Sequence, residues 1–388
     1  MMVNGTPGDD HIYFLVGGST GNEWLSNSMD STTIPLNKLT SIVVNAGSGN
    51  DRVDGWDGSE YGWDGINQLH GGSGDDVLTG TAHVDWIYGD GDNDYLDGLE
   101  GDDILRGGSG DDHLDGGTGD DQLHGSSGED FLGGGGGDDT LYGGSDDDNL
   151  SSSEGNDNLY GEGGNGTLHG SVGSNQLFGS DGDDNFFSAI SEIGAGQNLL
   201  IGDMGNDIYW ISLNNLLGNF GYEIVEQEGA GNFDQILIVT GGVDVDVDLS
   251  GLNPIVRYRD TGDVIVNGSG AEIEAVFTGT GSHKITGNDY DNVIETYSEI
   301  DWETGNPLGP GDDWIDGRGG NDNIYSDYGD DIILGGDGDN IIDGGGGDDV
   351  IIGDGLTLSS TDLEYFFRKL ARRNIACVNT NEPSRNWR

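Results

Sequence analysis

The sequence is poor in cysteine, in proline and in basic residues. Its 388 residues include one Cys, six Pro and only 13 Lys and Arg. The lone cysteine, Cys377, excludes an internal disulfide framework and a zinc site built from several cysteines. The shortage of cations argues against nucleic-acid binding, because phosphate recognition needs a basic surface. We therefore expect neither a disulfide-stapled fold nor a nucleic-acid partner.

Long apolar segments and catalytic motifs are also missing. Hydrophobic residues make up 32% of the chain, and no run approaches the length of a membrane span. The segment 1–30 lacks a basic stretch followed by an apolar core, so no cleavable signal peptide is expected. No His-Glu-x-x-His zinc-protease motif occurs. Gly17–Gly21 matches Gly-x-Ser-x-Gly but lacks the strand-to-helix context of a nucleophile elbow. We therefore predict that the protein is not an enzyme.

Glycine and acidic residues are abundant instead. The chain has 76 Gly and 73 Asp and Glu, and its formal net charge is −60. High net charge with few apolar side chains is typical of chains that cannot fold by hydrophobic burial alone. A fold of this composition therefore needs another source of stability.

The glycines recur in successive nonapeptides. Fourteen nonapeptides run in phase from Gly62 to Phe187, and five more run from Leu308 to Ile352. Isolated units occur at Gly5–Tyr13, Ala46–Asp54 and Gly202–Trp210. In the first array the eighth position is apolar in all fourteen units and the sixth is Asp in eleven. An apolar residue between two polar ones fits a minimal strand with one buried face, and the glycine-rich residues fit turns with positive φ.

This Gly-Gly-x-Gly-x-Asp-x-U-x pattern, in which U is a large apolar residue, resembles the repeats-in-toxin (RTX) family. The pattern is a calcium-binding β-solenoid signature. The resemblance implies an all-β fold, a right-handed parallel β-roll with two facing parallel sheets and one coil for every two nonapeptides. In that family, carbonyls at positions two and four and Asp at position six of one turn meet positions one, three and six of the turn two units later. Carried over to this chain, one calcium site would be formed by Gly72, Gly74, Asp76, Gly89, Gly91 and Asp94.

The resulting 18-residue period divides the position-six aspartates of the first array into two columns, one on each edge of the roll. One column has Asp76, Asp94, Asp112, Asp130 and Asp148; the other has Asp85, Asp103, Asp121, Asp139 and Asp157. We predict further ligands outside these columns at Asp10, Asp51, Asp184, Asp207, Asp313, Asp322, Asp331 and Asp349. Solvated turn residues and Mg²⁺ sites are the alternatives, but Mg²⁺ demands rigid octahedral geometry.

Elementary energetics favours several bound Ca²⁺ ions. Neighbouring carboxylates one strand spacing apart repel by about 3–4 kcal/mol at an effective dielectric constant near 20. Ordering the backbone of one nonapeptide costs on the order of 9–18 kcal/mol, whereas burying one leucine contributes only about 1.5–3 kcal/mol. A hard dication between successive turns removes the repulsion and binds the oxygen atoms. We therefore expect the empty roll to be unstable.

The whole sequence divides into five predicted regions. Residues 1–61 are an N-terminal cap with degenerate units, 62–187 the first array, 188–307 a β-rich spacer or degenerate solenoid, 308–355 the second array, and 356–388 a tail. An inserted β-sandwich is the alternative for 188–307. The tail carries a capping box at Thr361–Glu364 and an amphipathic helical pattern. That helix fits either a cap for the roll or the uncleaved type I secretion signal that the family resemblance implies.

Two functions are compatible with this organisation. The first is a secreted, non-enzymatic calcium-binding protein of a bacterial surface or matrix, with calcium and a surface or matrix polymer as partners. The second is an extracellular enzyme acting on polysaccharide or protein, or the repeat module of one, with its site in 188–307. A cleft lined by Trp210, Tyr222, Tyr258 and Trp302 would favour the second.

One stretch of the first array predicts weak calcium binding. Gly166 and Asn175 stand where the two columns would have Asp, while Leu168 and Leu177 keep the apolar position. We predict an unbroken leucine stack across units 161–178, with calcium missing or weakly held there.

Overall fold

A computed structural model describes most of the chain as two compact units. The described residues are 1–17, 24–27, 34–35, 39–56, 65–189, 197–212, 221–225, 234–239, 245–250, 255–258, 264–269, 273–279, 281–297, 299–300, 307–308 and 311–353. Unit one comprises Met1–Ala189 with Ile201–Met204, and unit two comprises Ile190–Leu200 with Gly205–Arg388. The predicted tail helix, the Gly17–Gly21 elbow beyond its first residue, and Trp302 lie outside the described residues.

The described residues of unit one form 21 complete strands. They are β1 (Met2–Asn4), β2 (His11–Ile12), β3 (Phe14–Gly17), β4 (Trp24–Asn27), β5 (Ile34–Pro35), β6 (Ser41–Ser48), β7 (Arg52–Asp54), β8 (Ile66–Ser73), β9 (Val77–Thr81), β10 (Asp85–Gly91), β11 (Tyr95–Leu99), β12 (Ile104–Ser109), β13 (His113–Thr118), β14 (Gln122–Ser127), β15 (Phe131–Gly136), β16 (Thr140–Ser145), β17 (Asn149–Ser151), β18 (Asn158–Gly163), β19 (Thr167–Gly170), β20 (Gln176–Asp181) and β21 (Asn185–Ala189). A further strand, β22 (Gln197–Met204), has residues in both units.

The strands of unit one form two parallel sheets. Sheet A has the order β1, β6, β8, β10, β12, β14, β16, β18, β20. Sheet B has the order β2, β7, β9, β11, β13, β15, β17, β19, β21. Successive nonapeptides alternate between the sheets, so from β8 onward each strand pairs with the strand two nonapeptides later. This is the arrangement of a parallel β-roll, and it confirms the predicted fold class.

The core of unit one is a stack of the eighth-position side chains. Each strand alternates inward and outward residues, as a strand with one buried face requires. Leu69, Leu78 and every following eighth-position residue to Phe186 have no exposed surface. Leu168 pairs with Leu150 and Phe186, and Leu177 pairs with Leu159. The core is therefore unbroken across units 161–178, as predicted.

The N-terminal segment contributes coils to the same roll. β1 and β2 continue sheets A and B, although the chain between β2 and β6 and the chain between β7 and β8 are longer than one repeat. Part of the first insertion forms a small antiparallel sheet of β3, β4 and β5. The residues of 1–61 thus include two stacked nonapeptide turns, at 5–13 and 46–54.

Unit two is also built from strands. They are β23 (Ile208–Ser212), β24 (Gly221–Val225), β25 (Asp234–Val239), β26 (Val245–Asp248), β27 (Ile255–Tyr258), β28 (Val264–Ser269), β29 (Ile273–Thr278), β30 (Lys284–Thr286), β31 (Val293–Thr296), β32 (Glu299–Ile300), β33 (Pro307–Leu308), β34 (Trp314–Asp316), β35 (Asn323–Tyr325), β36 (Ile332–Leu334), β37 (Ile341–Asp343) and β38 (Val350–Ile352).

Parallel ladders dominate unit two as well. One runs β23, β25, β29, β31, β35, β37, and another runs β26, β30, β34, β36, β38. β24 pairs in parallel with β28, while β27 is antiparallel to both β26 and β28. β32 and β33 form an antiparallel pair. Within the described residues all regular secondary structure is β-strand, and no helix could span a membrane.

Candidate metal centre

The position-six aspartates are buried at the turns that lead into the strands. Asp10 is half-buried, and the other twelve in unit one have an exposed fraction of 3% or less. They are Asp51, Asp76, Asp85, Asp94, Asp103, Asp112, Asp121, Asp130, Asp139, Asp148, Asp157 and Asp184. Unit two buries Asp207, Asp322, Asp331 and Asp313 to a similar degree. Carboxylates are rarely buried unless they are paired or bound to a metal, so each of these groups requires a partner.

One carboxylate oxygen of each aspartate is bound within its column. The backbone N–H of Asp76 donates to Oδ1 of Asp94 over 2.8 Å, and the N–H of Asp94 donates to Oδ1 of Asp112 over 2.8 Å. The other column repeats the bond from Asp103 to Asp121 over 2.7 Å. The two columns expected from the 18-residue period are therefore present, and Oδ1 is held by a backbone donor one coil earlier.

The second carboxylate oxygen has no hydrogen-bond donor at many positions. Oδ2 is buried and unpaired in Asp51, Asp76, Asp94, Asp103, Asp112, Asp121, Asp130, Asp139, Asp148 and Asp322. A buried unpaired carboxylate oxygen is costly. Since the same unpaired oxygen recurs at successive 18-residue steps, it belongs to the repeat and not to an individual residue.

Backbone carbonyls converge on these unpaired oxygens. A methyl group built on Gly71 would lie 2.3 Å from Oδ2 of Asp76 and 2.9 Å from the carbonyl oxygen of Gly89. The corresponding distances at Gly98 are 2.4 Å to Oδ2 of Asp103 and 2.6 Å to the Gly116 carbonyl. Glycine at position one thus leaves a small cradle between oxygen atoms of two successive turns. Oxygen-only surroundings of this kind suit a hard cation.

The predicted ligand set of one site is brought together. Asp76 and Asp94 are joined by the backbone bond described above, and the Gly89 carbonyl lies beside Oδ2 of Asp76. A methyl group built on Gly91 would lie 3.6 Å from the carbonyl oxygen of Gly72. The N–H of Gly74 donates to Oδ2 of Asp92, which lies in the same turn as Gly89, Gly91 and Asp94. All six predicted residues therefore line adjacent turns.

The turns hold an unusual backbone conformation at positions two and four. Gly72 has φ of 118° and Gly74 has φ of 109°. Non-glycine residues with positive φ are Asp90, Asp92, Leu99, Ser126, Asp146, Glu162, Ser180, Asp203 and Arg318. All nine stand at position two or four of a nonapeptide. Holding a non-glycine residue at such a φ costs about 1–3 kcal/mol of conformational free energy. These nine residues show that the turn keeps its conformation even where glycine is missing.

Burial raises the pKa of the position-six carboxyl groups. The pKa of Asp94 and that of Asp103 rise to about 8, because burial disfavours the charged form and neighbouring aspartates add repulsion. The pKa is raised to about 7 for Asp130, Asp139, Asp148 and Asp322, and to about 6 for Asp76, Asp112, Asp121 and Asp331. A bound dication would supply the charge that keeps these groups ionised.

Three predicted ligand residues have a side-chain donor of their own. The Thr81 hydroxyl and N–H donate to Oδ2 of Asp85 over 2.8 Å and 2.6 Å. The Thr6 N–H donates to Oδ2 of Asp10 over 2.5 Å, and its hydroxyl does so over 3.0 Å. The Ser326 hydroxyl donates to Oδ2 of Asp331. At these turns the oxygen that is unpaired elsewhere is already bound.

The remaining predicted residues occupy comparable positions. The Gly166 N–H donates to Oδ1 of Asp184, and Asp331 and Asp349 continue the column that Asp313 begins. The Asp207 N–H donates to Oδ1 of Asp234 over 2.9 Å. Asp234 is 3% exposed and fills position six, although its place in the chain departs from the regular step. Its Gly-x-Gly-x-x-Asp segment was the available signal, but the irregular spacing hid its place in the column.

Of the four aromatic residues that could line a cleft in 188–307, the structure describes the side chains of Trp210 and Tyr222. Tyr222 is 2% exposed and belongs to the core, and Trp210 is half-buried on β23. Among the described residues, no group of three or more His, Cys, Asp or Glu side chains converges on one point. A cation site in these turns would therefore draw most of its ligands from backbone carbonyls.

Sequence comparison identifies a family for both arrays. A family model described as the RTX calcium-binding nonapeptide repeat (4 copies) matches residues 43–63, 61–96, 97–132, 133–168, 160–189, 309–327 and 325–355. These segments together cover half of the chain. No curated protein matches the chain.

Proposed function

Since the chain belongs to the RTX calcium-binding nonapeptide repeat family, we propose that it is a secreted, non-enzymatic protein whose roll orders on extracellular Ca²⁺. The observation that carries this proposal is the recurring buried Oδ2 without a donor, set against carbonyls of the next turn. Position-six Asp, with carbonyls of positions one to four, would hold the ions. Calcium supplies the positive charge that the −60 chain lacks.

The test of calcium-dependent folding is a titration of chelated protein with Ca²⁺, followed by circular dichroism and calorimetry. Binding free energy is folding free energy in such a system, so the β signal and the heat of binding should develop together. Weak extracellular sites half-saturate at about 10⁻⁴–10⁻³ M. A full β signal in excess chelator at neutral pH would contradict the proposal.

A surface or matrix role is supported by the outer face of sheet A. Asp90, Glu162 and Asp181 are exposed toward the ends of these strands, but the residues at positions seven and nine from β8 to β20 include no acid, in a chain with 73 of them. These residues are Gln68, His70, Trp86, Tyr88, Ile104, Arg106, Gln122, His124, Thr140, Tyr142, Asn158, Tyr160, Gln176 and Phe178. The rings of Tyr142 and Tyr160 stack at 4.9 Å. We propose that this nearly neutral strip faces an uncharged matrix polysaccharide.

The strip is tested by co-sedimentation of calcium-loaded protein with insoluble neutral polysaccharide. Replacing both Tyr142 and Tyr160 with Ser should reduce the bound fraction, whereas Tyr95→Ser on sheet B is the matched control. Equal binding of all three proteins would remove the strip from the proposal and leave calcium-dependent folding untouched.

A further inference from the structure

Six of the described turns, three in each unit, are bridged internally at the place where many of the others leave an oxygen unpaired. In four of them a residue at position one or two binds position six: Thr6–Asp10, Thr81–Asp85, Asn288–Asn292 and Ser326–Asp331. In the other two, a donor at position six binds the carbonyl of position two: Asn175–Ser171 and His283–Gly279. The bridge in each case joins groups that would otherwise serve as calcium ligands.

The Asn175 turn illustrates the substitution. Oδ1 of Asn175 accepts the Asp157 N–H over 2.9 Å, just as an aspartate Oδ1 would. The other side-chain atom must then be the amide nitrogen, and it donates to the Ser171 carbonyl over 3.4 Å. That nitrogen also lies 3.0 Å from a methyl group built on Gly170, the place that Oδ2 takes in the aspartate turns. An N–H donor therefore stands where the cation would be.

His283 makes the same substitution with a different side chain. Nδ1 accepts the Val245 N–H over 3.4 Å, so the ring proton is on Nε2, which donates to the Gly279 carbonyl over 2.8 Å. The residue has no exposed surface. Its backbone N–H still donates to Oδ1 of Asp313 over 2.7 Å. The column continues past His283 without a carboxylate at this turn.

The backbone provides an independent observation. Position two has left-handed φ in most described turns of the arrays, including Gly72, Asp90 and Gly108. In none of the six bridged turns does position two have such a φ, whether it is Thr, Ser, Gly, Asn or Asp. Glycine at 279 permits the conformation and does not adopt it. Among the other described turns of the arrays, only the Asp157 turn also lacks it, at Ser153, so the bridged turns differ from most of the others in backbone as well as in side chain.

On the basis of the calcium-dependent fold proposed above, we propose that these six turns are closed by their own hydrogen bonds and bind no calcium at their position-two carbonyls. Two of them are consecutive, so the coil 278–295 has both of its turns closed by protein donors. Asn292 completes this coil by donating to Oδ1 of Asn288 over 2.7 Å and by accepting the Asn288 N–H over 2.9 Å. Ile285 and Ile294 fill its core with no exposed surface. The second array then begins on a coil that needs no ion.

This inference also refines the expectation for units 161–178. The unit with Gly166 keeps left-handed φ at Glu162 and Gly164. Its backbone therefore has the same conformation as the unbridged turns. The unit with Asn175 is bridged. We therefore expect calcium to be excluded from the Asn175 turn and to be weakened, but retained, at the Gly166 turn.

The experiment measures calcium stoichiometry of the full chain by elemental analysis after equilibrium dialysis, for wild type and for Thr81→Gly. Thr81→Gly removes the hydroxyl donor to Oδ2 of Asp85 and leaves only the backbone N–H. Because glycine at position two also permits the left-handed φ of the unbridged turns, the variant should bind one more ion per chain. Thr140→Gly, on the outer face of sheet A, is the matched control and should bind no additional ion. An unchanged count in folded Thr81→Gly would overturn the proposal.

A second measurement decides the matter even if the variant fails to fold. Anomalous scattering from calcium-saturated wild-type crystals locates each ion. Ions at the turns with unpaired Oδ2 and none on the carbonyls of Thr81, Ser171 and Gly279 support the proposal. Ions on those carbonyls would overturn it while leaving calcium-dependent folding intact, whereas a chain without any ions would overturn the proposed function itself.

Discussion

At the scale of single residues, a position-six aspartate in an unbridged turn combines two structural roles. Oδ1 accepts a backbone N–H from the preceding coil, and Oδ2 faces the cradle beside the position-one glycine. An asparagine preserves the first role and abolishes the second, as Asn175 demonstrates within the chain itself. Substitution by asparagine therefore separates the proposed calcium binding from the backbone hydrogen bond.

We expect Asp121→Asn to raise the calcium midpoint for folding by roughly 10-fold or more, the loss that removal of even an outer-shell partner causes at metal sites. The N–H of Asp103 keeps its acceptor in this variant. Asp115→Asn removes the same charge from a half-buried side chain on the outer face of sheet B and should change the midpoint by less than about 2-fold, because a single charge at the surface contributes little. Equal midpoints for the two variants in a circular dichroism titration would argue against Asp121 as a ligand.

The raised pKa values give the calcium-free roll a defined pH dependence. The ordinary aspartate pKa of 3.8 rises to about 8 at Asp94 and Asp103 and to about 6 at Asp112 and Asp121. A group with a raised folded-state pKa stabilises the fold when protonated, fully below its unfolded value, and that stability is lost as pH rises through the folded value. In chelator, β structure should therefore be greatest near pH 4 and disappear between about pH 6 and 8, as measured by circular dichroism. A calcium-free β signal that increases with pH would be inconsistent with these carboxyl groups being buried.

At the scale of elements, strand assignment followed directly from the nonapeptide pattern. The eighth-position residue is buried in every unit from Leu69 to Phe186, and pairing follows the 18-residue step. The pattern could not reveal where the step changes. Asp51 and Asp76 are neighbours in one column despite a separation of 25 residues, and Asp207 and Asp234 despite 27. Insertions of variable length leave no periodic signal, so only the folded chain identifies these neighbours.

The side-chain bridges were equally invisible to the pattern. Thr81 and Asn288 stand at position two, where the consensus has glycine, and the sequence alone indicates only that glycine is missing. Whether such a residue widens the turn or bonds to position six depends on its rotamer and on local backbone φ. For this reason Asp85 and Asp10 were predicted on the same footing as Asp103, although their Oδ2 atoms have different surroundings.

Coils with and without bridges should differ in hydrogen exchange. In excess chelator at neutral pH, amides of Lys284–Thr286 and Val293–Thr296 should stay protected longer than those of β13 to β16, because the first group lies in the bridged coil. Exchange followed by mass spectrometry on the full chain measures both segments in one sample. Faster exchange in 278–295 than in β13–β16 would mean that the coil also depends on calcium.

At the scale of the whole molecule, charge and composition govern when the chain can fold. A net charge of −60 opposes compaction, and a core with one large side chain per nonapeptide supplies little hydrophobic stabilisation. Bound dications reduce the charge and link successive turns. Composition alone thus indicated that an ion was needed, and the phase of the aspartates indicated where most of the ions would bind.

We therefore expect the chain to fold only at millimolar calcium concentrations. Cytosolic calcium is too low to fill sites that half-saturate at about 10⁻⁴–10⁻³ M, so the chain should remain unfolded during synthesis and fold after export. Protein isolated from cytosol in calcium-free buffer should be digested rapidly by protease and should become resistant on addition of about 5 mM Ca²⁺, a concentration above that range. The same concentration of Mg²⁺ should not protect it, because Mg²⁺ requires octahedral geometry and releases its waters reluctantly. Protease resistance and bound calcium in freshly isolated cytosolic protein would show that folding precedes export.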